Sequence, residues 1–113
     1  VIVEPAVLAK VKKALEIASV ISLEKSTEFY NKYGDKEVCG SCSVVTFNSH
    51  SEITQALIDL NQAKSYSDGY YYINSMKTYL CQSLGVAEAG NNAAAEYLTN
   101  ELGQDFGIKS TWD

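Results

Sequence analysis

The strongest constraint on the fold of this chain is a long helical periodicity that opens at Pro5, the sole proline. Val7, Val11, Ala14, Ala18 and Ile21 recur at three- and four-residue spacing, and Leu15, Ser22, Phe29 and Tyr33 continue or widen the stripe. Lys10, Lys13, Glu16, Glu24 and Glu28 fall mostly elsewhere on the wheel. A proline suits the first helical turn, where its missing amide proton has no partner to lose. Gly34-Asp35 supplies a cap and a turn, so the pattern predicts a first helix from about residue 5 to about 33.

Further periodic stretches follow. Ser49-His50-Ser51-Glu52 has capping-box spacing, with Ser49 as cap and Glu52 reaching back, and Ile53, Ala56, Leu57 and Leu60 form a stripe behind it. A turn at 65–69 precedes Tyr66, Tyr70, Ile73, Met76, Leu80 and Leu84, whose spacing predicts a third helix ending at Gly85. Asn91 and Asn92 are candidate caps for a last helix through Ala93, Ala94, Ala95, Tyr97, Leu98 and Leu102. It ends near Gly103 or Gly107. The tail from Ile108 is loose unless Trp112 docks.

Val44, Val45, Thr46 and Phe47 favour strand, but no partner strand is evident and a lone strand leaves its backbone unpaired. The 36–48 stretch is therefore expected to be irregular. The expected fold is all-α: one domain over residues 1–113, a small antiparallel bundle of about four helices with the cysteine-bearing segment between the first two.

At 113 residues, 46% of them hydrophobic and 20% charged, the chain has enough apolar material for one core. The net charge of −5 and the scattered placement of nine lysines and arginines argue against nucleic-acid binding. The apolar runs are far short of the ~20 residues that cross a bilayer.

The three cysteines, Cys39, Cys42 and Cys81, offer a choice of staple, redox pair, metal site or free thiol. A Cys42–Cys81 disulfide with Cys39 free is expected, and closing such a loop stabilises by roughly 4 kcal/mol. Together with a first residue, Val1, that is not methionine, this points to an exported or lumenal protein. Cys39 and Cys42 form the alternative, a Cys-x-x-Cys redox pair with Lys36 close in sequence, although no proline loop follows. Cys39, Cys42, Cys81 and His50 match the ligand types of a zinc site but not a familiar spacing, so no metal is assigned. Cys39-Gly40-Ser41-Cys42 resembles the start of the papain-family nucleophile signature. Ser43 breaks the match, and no His or Asn follows at the family's distance.

No carboxylate pair, Glu-x-x-His motif or phosphate loop appears, so neither an enzyme nor a cofactor is implied. The chain has eight tyrosines, and Tyr70, Tyr71 and Tyr72 stand in succession. On a helix at least one must point outward, which makes them an expected interaction face for a protein partner. The expected function is a non-enzymatic accessory subunit of a larger assembly. A carrier of a small apolar ligand between the helices is the alternative.

Overall fold

The computed structural model describes residues 2–35, 38–74 and 76–112, with Trp112 defined by its backbone only. Val1 and Lys36, and the docking of the Trp112 side chain, lie outside what is described. The order of elements is α1 (Pro5–Tyr33), β1 (Gly40–Thr46), α2 (Glu52–Asp59), β2 (Ala63–Ser65), β3 (Tyr71–Ile73), α3 (Leu84–Leu102) and β4 (Gly107–Trp112). The fold is therefore mixed rather than an all-α bundle. Three helices accompany a four-stranded antiparallel sheet in the order β2-β3-β1-β4.

The expectation of an all-α fold fails because β1 does have partners, and each is hard to see in sequence. β4 occupies the tail expected to be loose, and it pairs with β1 from Gly40 opposite Trp112 to Val45 opposite Gly107. β2 and β3 are three residues each, too short to show alternation. The apolar spacing at Tyr70, Ile73 and Met76, read as a third helix, instead runs through β3, and the described residues that follow it, Met76 to Tyr79, lie outside helix and strand. That segment is held to α1: the Lys77 and Tyr79 amides donate to the Ser19 and Ser26 hydroxyls at 3.1 and 2.9 Å, and the rings of Tyr30 and Tyr79 stack at 4.0 Å.

The helices form where the stripes lie, but two of their starts differ from expectation. Pro5 sits in the first turn of α1, and the amide of Gly34 closes on Tyr30 O. The cap of α2 is Ser51 rather than Ser49, accepting from the Thr54 amide at 2.9 Å. α3 begins under a Ser83 cap, well before Asn91. Asn91 is buried mid-helix, where its amide nitrogen donates to Ala87 O at 2.8 Å. Gly103, at φ +69°, ends the helix in the left-handed conformation that favours glycine.

α3 lies against α1 on one side and against β1 and β4 on the other, while α2 packs on α1. The buried face of α1 runs Ala14, Ala18, Ser22, Ser26 at four-residue spacing, and that of α3 includes Val86, Gly90, Ala94, Leu98 and Leu102. Small side chains let the two backbones approach closely. A β-carbon built on Gly90 would meet the Ser22 carbonyl oxygen at 2.7 Å, closer than real contacts allow. Val44, Ala56, Leu57, Ile73 and Met76 complete the core.

Beyond the end of β1, a polar knot joins three elements. The Gln104 amide donates to the hydroxyls of Thr46 and Thr54 at 2.9 and 3.0 Å, and Thr46 donates to Asp105 O at 2.8 Å. These bonds satisfy Thr46 and Thr54, which are both fully buried. They fix the direction in which β1 leaves the core and thereby position Phe47.

Candidate functional site

Side chains alternate across a strand, and this decides what the tyrosine triplet does. Tyr71 shares a face with buried Ile73, toward the helices. Tyr72 lies opposite Val45 of β1 and Lys64 of β2, on the outer face that no helix covers. Tyr70, two residues before it, joins that side. The expected face of Tyr70, Tyr71 and Tyr72 is thus divided by the strand, with Tyr71 turned inward. Phe47 and Tyr66 take its place.

Tyr66 and Tyr72 meet edge to face with centroids 5.0 Å apart, Tyr72 and Tyr70 at 6.5 Å, and Tyr70 and Phe47 at 5.6 Å. These are the tilted geometries that ring quadrupoles favour. Phe47 is 70% exposed and Tyr66 is 60% exposed, whereas Val45, beneath the rings, is 4% exposed. The outcome is an aromatic surface on a firm floor. Phe47 ends the run Val44-Val45-Thr46-Phe47, and Tyr66 opens the apolar spacing that continues through Tyr70 and Ile73. The signal that finds them is period-two spacing, which relates Phe47 to Val45 and Ser43, and Tyr66 to Lys64, which lies opposite Tyr72.

One ion pair pins the array. Lys109 of β4 places its ammonium 2.7 Å from the Asp68 carboxylate, 4.7 Å from the centroid of Tyr70 and 5.8 Å from that of Tyr72. Asp68 also accepts the Tyr72 hydroxyl, and the Tyr70 amide at 3.1 Å. The Lys109 hydrogen bond, seconded by the Tyr72 hydroxyl, holds the Asp68 carboxyl down at about 2, and the Asp68 bond pushes the Lys109 ammonium up from its ordinary value. The pair is solvent-exposed. It orders the rings more than it stabilises the fold.

The cysteines do not form the expected staple. Cys39, Cys42 and Cys81 are all free thiols, and the Cys42–Cys81 bridge is absent. Cys42 faces α3, opposite Ser110 of β4, whereas Cys39 precedes the strand in an isolated bridge to Ser83. Burial pushes the Cys42 thiol up, the Ser110 hydrogen bond lowers it and the charge of Glu88 raises it, the net shift being upward. An activated redox thiol needs the opposite shift. Residues three apart on extended backbone also project to opposite faces, so Cys39 and Cys42 are poorly set for exchange with each other.

The Cys3His set does not converge. Cys39 precedes β1 and exposed His50 follows it, with seven extended residues at about 3.3 Å each between them. Among the described residues no group of three or more His, Cys, Asp or Glu side chains is placed to hold a metal ion. Among the described residues no helix is long and apolar enough to cross a membrane.

Among the depressions on the surface of the described residues, two bear on the expected ligand-carrying and interaction roles. One, of about 600 Å³, runs between α1 and the segment after β3, with Leu15, Leu60 and Met76 on its floor and Lys12, Glu16 and Lys77 on its rim. It is an open groove rather than a cavity between helices. The other, of about 480 Å³, lies on the outer sheet face beside Tyr66 and Tyr72. No family model matches the chain, and neither a curated protein nor a solved structure shows significant similarity to it.

Proposed function

We propose that this chain is a non-enzymatic interaction subunit that docks a protein partner on the outer face of its sheet. The observation that carries the reading is the exposed row Tyr66–Tyr72–Tyr70–Phe47, ordered by Lys109 and Asp68. Aromatic side chains are enriched at the centres of protein interfaces, since they bury large areas with few rotatable bonds to freeze. Rings already locked edge to face lose still less freedom on binding.

The test is a double substitution, Phe47→Ala with Tyr70→Ala. Both side chains lie outside the core, so the far-ultraviolet dichroism and melting midpoint should stay close to those of the parent. Photo-crosslinking from residue 66 in the native source should capture a discrete partner in the parent and lose it in the double variant. An unchanged crosslink pattern would remove the proposal. A second reading, carriage of a small apolar ligand, is favoured by the groove over Leu15, Leu60 and Met76. Native mass spectrometry showing a retained apolar mass would move the function there.

A further inference from the structure

The depression beside Tyr66 differs from an ordinary apolar pocket in its chemistry. Its volume of about 480 Å³ falls within the ~300–1,000 Å³ range of small-molecule sites, but polar groups dominate its lining. Ser43 on β1, Lys64 on β2, Asn61 and Asn74 surround it, and the rings of Tyr66 and Tyr72 form one wall. The Asn74 amide nitrogen donates to the Asn61 backbone carbonyl at 3.0 Å, which fixes that amide and leaves its oxygen as an acceptor. Asn61 itself holds a left-handed φ of +58°, uncommon outside glycine, at the rim of the depression.

Charge narrows the ligand further. Lys64 is the one formal charge in the lining, and among the described residues it has no carboxylate within ion-pair distance. The nearby Asp68 is already matched by Lys109. The lining thus offers an ammonium, a hydroxyl, two carboxamides, aromatic ring surface and the apolar Ile73, with no carboxylate among the lining residues themselves. We infer that this depression is a binding site for an acidic sugar, a pyranose bearing a carboxylate. Lys64 takes the carboxylate, Asn61, Asn74 and Ser43 exchange hydrogen bonds with ring hydroxyls, and the C–H face of the sugar rests on Tyr66. The site shares Tyr66 and Tyr72 with the proposed docking face but uses neither Phe47 nor Tyr70, and it does not require that a protein partner binds there.

The test uses the isotopically labelled chain and two probes, methyl glucuronide and methyl glucoside, followed by amide chemical shifts. The glucuronide should give saturable shifts centred on Asn61, Lys64, Tyr66 and Asn74. The glucoside should bind roughly tenfold more weakly, because it lacks the charge-assisted hydrogen bond. Lys64→Met should bring the glucuronide to the level of the glucoside. Asn61→Gly keeps the left-handed backbone and removes only the side chain, so weakened binding in a folded protein should follow there too. Absence of saturable shifts, equal affinity for both probes, or an undiminished glucuronide preference in Lys64→Met would each overturn the inference. The Phe47→Ala, Tyr70→Ala double variant should retain sugar binding even where it loses a protein partner, so the two readings fail separately.

Discussion

Where α1 meets α3, the interface is made of absence: Ala14, Ala18, Ser22 and Ser26 against a helix carrying Gly90, Ala94 and Ala95, packed until a single added carbon would touch backbone. On the outer face of the sheet the same chain spends its largest side chains, and two of them stand more than half in water. The first region gains from close approach and dispersion, with no spare volume. The second is held by ring edges and one exposed ion pair, which order a surface without sealing it. The comparison teaches that substitutions in the first should register as stability and those in the second as recognition.

The sharpest way to break that division is Leu98→Ala. Leu98 is fully buried on α3, and truncation there should cost about 2–5 kcal/mol, enough to lower the thermal midpoint by about eight degrees or more, on the order of 4–8 °C for each kcal/mol. A loss comparable to that of an exposed residue would mean the core is not packed as described. Gly90→Ala comes next. Helix propensity alone favours alanine by about 1 kcal/mol, but overpacking against a backbone carbonyl costs about 1–3 kcal/mol, so denaturant titration should show a net loss. A stabilised variant would show that the helices stand farther apart.

The smallest effect tests the outer face through pH. The Asp68 carboxyl lies at about 2 in the folded chain, below its ordinary value, so its contribution is present above the normal carboxylate range and fades as pH falls through about 2. Asp68→Asn should remove that part of the acid dependence and little else. Tyrosine fluorescence should report the loosening of Tyr70 and Tyr72 before global unfolding. If the parent and variant acid titrations superimpose, the pair does not order the rings.

Parts of this architecture were legible in one dimension. The α1 stripe, Pro5 and Gly34 mark both ends of a long helix because helical periodicity and capping are local properties. The cap of α2 lies two residues further on, since Ser49 and Ser51 can both present a hydroxyl oxygen that accepts a helical amide and only the chain path selects one. The third predicted helix failed for a different reason. Tyr70, Ile73 and Met76 satisfy helical spacing, yet Ile73 and Met76 are buried in the core from β3 and the segment after it, whereas Tyr70 joins the outer face beside Phe47 and Lys109. At the candidate site the triplet Tyr70, Tyr71 and Tyr72 was visible, but its partners Phe47, Tyr66, Asp68 and Lys109 lie up to 62 positions apart (109 minus 47) and meet only across the sheet.

By itself the sequence determined where long helices could form, how much apolar material they could bury, and that acidic net charge and scattered lysines give no broad cationic surface. Tertiary structure decided the rest. Strand pairing is a non-local hydrogen-bond contract, so whether Val44 to Thr46 is a strand depends on a tail more than sixty residues away, beginning at Gly107. The same pairing turned Tyr71 inward and Tyr72 outward, separated Cys39 from Cys42 by face, and brought Lys109 over the rings. Alternation along a strand is local, but the side that faces water is chosen by what packs on the other.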